Sequence, residues 1–558
     1  GALDMGCGSF RVIREPCDEG ELVPQARRAG GLGRVRSSCK TNSTQRPPAM
    51  TAYPDPDFSS SHALFLALVA RLSSSSAAVL QHGEVEELIE DEGLELLRAL
   101  FQDHLDLRAA REEASVKPVR GADGVERTEV RRGRRQLGTL FGTVGVQRLA
   151  LVKRGVRGGL RPMDAELNLP AGRYTHGVAR RVAWAVAESS YEVAVEDLRR
   201  DTAASIAKRQ AEELAIQVTC DFEDFYLARP LTRHNIDDVL VMSFDGSGVV
   251  MRPEGLRAAT RAAAGAERRR STAQTAGAVG ARQHGVRKNR KRMAEVATVY
   301  DLAVQPRSPD DIVRELRKSG PHKPRPRAKN KRVWASLERT VPAVVEDAFL
   351  EARRRDPDQQ RRWAVLVDGN KHQIDSVLQM GDLYGVPVTI VVDFIHVLGY
   401  LWKAGKALVG GDLDAIEAWV EERSRRILGG GCVGVARGMR CSATRRKLSK
   451  TARRPVDACA RYLLNQKHYL RYHEFLADGL PIASGVIEGA CRSLVKDRMD
   501  ITGARWGLPG AEAVLKLRAL RASGDLDDYL EFHHRRELER NHLSKFADDE
   551  LVELRLAS

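Results

Sequence analysis

The sequence predicts an α/β multidomain fold: a mixed sheet with flanking helices, carrying an all-helical insertion and preceded by a mainly helical region with a β-hairpin. Three observations carry this expectation. From Val239 to Val409, apolar runs of strand length alternate with stretches of helical periodicity. Residues 411–480 hold only helical patterns and basic loops. Residues 61–235 are mostly helical in spacing, broken once by an alternating segment around Gly142. At 558 residues the chain is long enough for several cores, and 42% hydrophobic content is that of a globular protein.

The first 60 residues show no apolar periodicity and read as a disordered leader, with Met50 as a candidate start. They hold no signal-peptide core. The segment before Ala63 carries Asp55 and Asp57 and no Lys or Arg, the wrong charge for one. The best apolar stretch, Ala63 to Ala70, meets Arg71 well short of the roughly 20 residues a spanning helix needs, so no membrane partner is expected. Eight cysteines without a CxxC pair argue against a disulfide scaffold or structural zinc, and a reduced, cytoplasmic compartment follows. Helical patterning begins near His62 and runs through Glu84 to Arg111, with Leu88, Leu94, Leu97 and Leu100 at helical spacing. Leu137 to Val152 alternates around Gly142 as a hairpin does. Two helices are expected next, Thr175 to Ser189 and Val193 to Thr219. Their basic face suits a DNA groove, or else is a solvated amphipathic surface.

At Val239 the style changes. VLVMSF, then Asp245-Gly246-Ser247-Gly248, then VVM reads as strand, turn, strand. Residues 252–292 hold 12 Lys/Arg against 2 acids, a flexible basic insertion ending in Arg287, Lys288, Arg290, Lys291 and Arg292. A strand from Glu295 to Val304 and a basic, Pro-rich linker over 317–332 come next. A helix (Val341 to Arg355), a strand (Trp363 to Val367), a helix (Gln373 to Tyr384), a strand (Val386 to Val392) and a helix to Val409 follow. Residues 481–558 return to helix. A net charge of +15 and a pI of about 9.5 point to a nucleic-acid partner.

Three carboxylates stand out by position. Asp245 and Asp368 each close an apolar strand and precede glycine, and Glu488 lies on a helix opened by Ser484. Together they offer hard oxygen ligands of the kind Mg²⁺ takes. Two such ions roughly 4 Å apart can activate an attacking oxygen and stabilise a leaving one in phosphodiester chemistry. Each residue has a plainer alternative. Asp-Gly after a strand is a common turn, and Glu488 can pair with Arg492 one helical turn on. Lys496, Arg498 and Arg505 are placed to meet phosphates or to form a solvated face. Trp506 can stack on an unpaired base or anchor a core.

The order and spacing of several segments resemble a DDE transposase of the ISKra-type insertion-sequence family, related in layout to Mutator-like enzymes. These are VMSFDGSG around Asp245, LVDGN around Asp368, VVDFIHV around Asp393 and His396, and SGVIEGACRSLVKDRMDITGARW around Glu488, with LFGTVGVQR and SSYEVAVEDL upstream. The likeness covers nearly all of residues 120–525. It implies an RNase H-like catalytic core with a helical insertion between the second Asp and the Glu, the place occupied by 411–480. It implies Asp245, Asp368 and Glu488 as the catalytic, metal-holding set. Asp393, as strand-terminal as Asp368, is the alternative second catalytic carboxylate; with His396 it matches the family's C/D-x-x-H signature, which favours Asp368 for that role, and His396 is expected to close the start of the following helix.

The function expected is therefore a DNA transposase acting with two Mg²⁺ or Mn²⁺ ions in a prokaryotic, nucleoid-associated setting. The N-terminal region would bind terminal inverted repeats in duplex DNA. The core would hydrolyse the phosphodiester at each end and join the released 3′-hydroxyl to target DNA. Two ends handled together call for a homo-oligomer, at least a dimer. The alternatives are a catalytically silent DNA-binding derivative, or a nuclease of the same fold that cuts without joining.

Overall fold

The computed structural model describes residues 58–232, 234–275, 290–317, 325–501 and 503–548. These form two compact units: Tyr174–Arg540, and a smaller one made of 58–173 with 541–548. The division falls inside the stretch 61–235 that the sequence groups together, so the helices from His176 onward belong with the sheet. The leader expected over 1–60 lies outside the described residues up to position 57, and a helix starts at Ser59. No helix among the described residues is long and apolar enough to cross a membrane.

In the smaller unit, helices Ser59–Leu72 and His82–Ala114 precede an antiparallel hairpin of strands Glu129–Thr139 and Gly142–Val152. The hairpin begins at Glu129 rather than Leu137. Its first eight residues, EVRRGRRQ, have no apolar alternation because the first six are exposed on both faces. The second strand buries Val144 and Val146 against Leu105, Met163 and Leu169. Gln102 secures it by bonding both the N–H (2.7 Å) and the C=O (2.8 Å) of Gly145.

The larger unit is built on five strands: β1 (Val239–Val250), β2 (Lys291–Leu302), β3 (Lys329–Ser336), β4 (Trp363–Val367) and β5 (Val388–Val392). Their spatial order is β3-β2-β1-β4-β5. The first three are antiparallel, and β4 and β5 add in parallel to β1. All five residues of β4 are buried, which is why WAVLV reads as an unbroken apolar run.

Four expectations change here. Asp245-Gly246-Ser247-Gly248 is not a turn, because β1 runs straight through it. Its glycines let β2 approach closely: a Cβ at Gly246 would lie 3.0 Å from Met293 Cε, and one at Gly248 2.9 Å from Lys291 Cδ. The insertion 252–292 is not flexible throughout. Ala258–Thr275, rich in alanine and arginine, is helical, as those propensities favour, while 276–289 lies outside the described residues. The basic linker over 317–332 hides the start of β3, whose lysines mask the strand signal. The helix expected over Val193–Thr219 is two helices, Tyr191–Asp201 and Lys208–Val218. Thr202 separates them, its hydroxyl donating to Leu198 O (2.6 Å) and accepting from Ala204 N (3.1 Å). Residues 411–480 are helical as expected, in helices Leu413–Leu428, Cys432–Arg445, Lys450–Asn465 and Tyr472–Ala477.

Candidate active site

The parallel register pairs Phe244 with Val367 and Val367 with Val392. The next residue on each chain is an aspartate, so Asp245, Asp368 and Asp393 follow one another across the sheet. β4 and β5 end at this row while β1 continues past it. The carboxyl ends of parallel strands are where ligand-binding groups gather in α/β sheets.

Asp245 and Asp368 are half-buried and lightly bonded. Asp245 Oδ1 accepts from Gly246 N (2.7 Å), and Oδ2 accepts from the Cys491 thiol (3.3 Å). Asp368 Oδ1 accepts from Asn370 N (2.7 Å). The Asp368 turn is fixed from the helical insertion. The Tyr462 hydroxyl donates to Asp368 O (2.7 Å) and Gln466 Nε2 donates to Gly369 O (2.9 Å). Gly369 has φ +90°, and a Cβ there would also sit 3.1 Å from Tyr462, so glycine is required twice over. Tyr462 stacks on Tyr400 at 4.2 Å, and burial pushes its hydroxyl pKa well up, which keeps it a donor.

Glu488 sits on the short helix Gly485–Ala490, which packs on β1 and β2. Its side chain is exposed, and among the described residues no hydrogen bond or ion pair engages its carboxylate. Arg492 turns instead to Asp497, 3.5 Å away. A π-helical turn, Cys491–Lys496, follows directly, a distortion frequent at functional sites. Burial raises the Cys491 thiol pKa strongly, with the charges of Asp245 and Glu488 adding to it. Cys491 is therefore the common neighbour that joins the glutamate helix to the first aspartate.

Asp393 is different. It is buried and capped, accepting from Ile395 N (2.7 Å) at one oxygen and from Ser484 N (3.2 Å) and the Ser484 hydroxyl at the other. Burial pushes its carboxyl pKa up despite these bonds. Asp393 thus ties the end of β5 to the residue four positions before Glu488. His396 is exposed and does not close the helix start; Asp393 performs that capping itself.

Among the basic candidates, Lys496 and Arg505 are exposed, Lys291 lies 3.8 Å from Asp500, and Arg290 is half-buried. Arg287 and Lys288 lie outside the described residues. Three assignments are corrected. Arg292 donates to the carbonyls of Leu337 (2.7 Å) and Gly255 (3.0 Å), so its guanidinium holds loops together. Trp506 is a core anchor: it is buried, its indole N–H donates to Met499 O (3.2 Å), and its backbone bonds to β1 at Val250. Arg498 is buried with its guanidinium 4.8 Å over the Trp506 ring, and burial lowers its pKa to about 10.

The sequence reading missed Glu295, which pairs with Gly246 in the β1–β2 ladder. Burial raises its carboxyl pKa, and the Asp245 charge adds to the rise against the opposing charge of Arg257. Only the strand register exposes it, since nothing in KRMAEVATVYDL singles out one glutamate. It also missed Tyr462 and Gln466, which lie far from Asp368 in the chain. No family model matches this chain, and no curated protein does so either.

Proposed function

We propose that the protein is a DNA transposase of the DDE type, with an RNase H-like core. The observation that carries this reading is that the register sets Asp245 and Asp368 side by side on neighbouring parallel strands, while the exposed, unpaired Glu488 lies on a helix packed against β1. The mixed five-stranded sheet with flanking helices supports it, being compatible with the RNase H-like core that the family resemblance implies. So does the helical block between Asp368 and Glu488.

The donor set suits Mg²⁺ or Mn²⁺, because it is all carboxylate oxygen and only lightly used by the protein itself. Two such ions, held by Asp245, Asp368 and Glu488, would supply activation of the attacking oxygen and charge neutralisation at the phosphodiester. The chain's own residues do the rest. Tyr462 and Gln466 hold the Asp368 peptide in place. Asp393 and Ser484 set the start of the glutamate helix, and Cys491 orients Asp245. Lys496 and Arg505, exposed beyond Glu488, are placed to contact DNA phosphates. The substrates are duplex inverted repeats and target DNA, handled by an oligomer of at least two copies.

The test uses labelled duplex carrying the inverted repeats that flank the gene, incubated with the full chain. Cutting is expected with Mg²⁺ or Mn²⁺, binding without turnover with Ca²⁺, and no cutting in EDTA. Equal cutting in EDTA overturns the reading.

A further inference from the structure

The hairpin of the smaller unit has two unlike strands. The second is locked down: Gln102 takes both peptide groups of Gly145, Glu112 accepts from Leu149 N (3.0 Å), and Leu151 exchanges backbone bonds with Leu160 (2.8 and 3.0 Å). These contacts cover the outer edge of that strand. The first strand has no such cover at its start. Residues 129–134 are all exposed, although neighbours in a strand point to opposite faces. This strand is therefore open on both faces over this length, while Leu149, Ala150 and Leu151 opposite it are buried.

What it carries there is arginine. EVRRGRRQ holds four arginines and one acid. Arg135 is used by the fold, donating to the carbonyls of Pro170 (2.9 Å) and Gly172. Arg132 approaches Glu113 but keeps half its side chain exposed. Arg131 and Arg134 are exposed and form no hydrogen bond or ion pair among the described residues. Gly133, between the pairs, has open space where a Cβ would stand. The long helix behind the ribbon is the opposite in charge: His82–Ala114 contains 11 acids and 3 arginines. Two of these acids face the arginine strand, Glu113 pairing with Arg132 and Asp106 lying close enough to Arg134 to feel its charge.

From this we infer that the strand Glu129–Gln136 is a duplex-DNA contact, with Arg131, Arg132 and Arg134 meeting phosphates. Arginine contacts to phosphates hold a protein on duplex DNA without reading its sequence. The second strand is fixed to the helix by Gln102 and Glu112, so the arginines are presented on a rigid support. The inference rests on the transposase reading only for which DNA matters. The surface itself is read from exposure and charge.

The experiment measures binding of the full chain to duplex DNA and to duplex RNA of equal length across a range of salt. The variant is Arg131→Gln/Arg132→Gln/Arg134→Gln. Arg132→Gln gives up the pair with Glu113 and Arg134→Gln the guanidinium lying over Gly145, so circular dichroism and a melting curve check that the fold is kept. For DNA, the slope of log affinity against log salt is expected to shrink by about 2 to 3, at ~0.9 per lost phosphate contact. For RNA it is expected to stay near the wild-type value. An unchanged DNA slope in the folded variant overturns the inference while leaving metal-dependent cleavage untouched. An equal loss on RNA marks a contact made to any polyanion and overturns the assignment to DNA. Wild-type protein with no salt-dependent binding to DNA overturns both this inference and the transposase reading.

Discussion

Glu351 and Glu488 are both helix glutamates in the sheet-bearing unit, and their surroundings are opposite. Glu351, on the helix Val341–Arg355 behind β2, is fully buried and bonded to three arginines: Arg332 (2.9 Å), Arg354 (2.5 Å) and Arg355 (2.7 Å). Those guanidinium groups overcome the desolvation of its carboxyl and hold its pKa far below the usual carboxylate range. Asp221 is similar, accepting from Arg540 through both oxygens (2.9 Å each) and from His533 (2.7 Å). The thiol of Cys220 lies beside it, but burial raises that thiol to about 11, and the aspartate oxygens are already engaged. That cluster reads as an ion-pair lock rather than a metal site. Glu488 has no partner among the described residues, and Asp368 accepts from a single backbone N–H. A carboxylate saturated by arginine is holding the fold, and one left short of donors is free to hold something else.

The widest separation is expected between substitutions at the two ends of this contrast. Asp245→Asn, Asp368→Asn and Glu488→Gln each keep side-chain volume and remove a charge that no buried cation depends on. Cleavage and joining should fall by orders of magnitude, with melting temperature and repeat binding close to wild type. Glu351→Gln should do the reverse. It leaves three guanidinium groups around a neutral amide, a loss of about 3–5 kcal/mol typical of a broken buried pair. A folded, active Glu351→Gln protein with unchanged melting temperature would dissolve the distinction, as would a still-active Glu488→Gln.

Asp393 lies between the extremes and sharpens the comparison. It stands in the same row as Asp368 but is buried and bonded at both oxygens. Asp393→Asn keeps one acceptor for Ile395 N and puts an amide where Ser484 N needs an acceptor. The expected cost is about 1–3 kcal/mol, with a partial fall in cleavage because Ser484 begins the helix that carries Glu488. A stable, DNA-binding but wholly inactive Asp393→Asn, beside an active Asp368→Asn, would move the second catalytic carboxylate to Asp393.

Legibility followed the same physics. Strand β4 was readable because both faces are buried and WAVLV is unbroken, and β5 because its last three residues, Ile390 to Val392, are buried and apolar. Asp368 and Glu488 were readable because they punctuate such runs. β3 was not, since its first four residues, KNKR, are polar and only Val333, Trp334 and Ala335 are apolar. The Asp245 segment misled because glycines that permit close strand packing look like glycines that permit a turn. Trp506 and Arg498 misled because a cation stacked on an indole inside a core has the same composition as a surface for DNA. The contacts from Tyr462 to Asp368 and from Ser484 to Asp393 span about 90 residues of chain, and periodicity says nothing at that range.

The smallest expected effect concerns a carboxylate that is neither saturated nor open. Asp347 lines a cavity of about 710 Å³ with Tyr226, Trp334 and Arg339, and is paired with Arg339 at 3.0 Å. One partner is not enough: burial raises its pKa to about 6 against the pull of Arg339. The folded chain therefore holds this proton more tightly than the unfolded chain, whose carboxyl titrates near 3.8. The sign follows from linkage. Stability contributed by the protonated form is present below about pH 4 and is lost as pH rises through about 6. Asp347→Asn cannot ionise, so it should gain on wild type across that interval and keep the gain above it, on the order of 1–2 kcal/mol. Urea midpoints measured from pH 4 to pH 8 would show the difference opening between pH 4 and 6 and then levelling. A difference constant in pH would mean that Arg339 alone satisfies Asp347, which would then belong with Glu351 among the saturated acids.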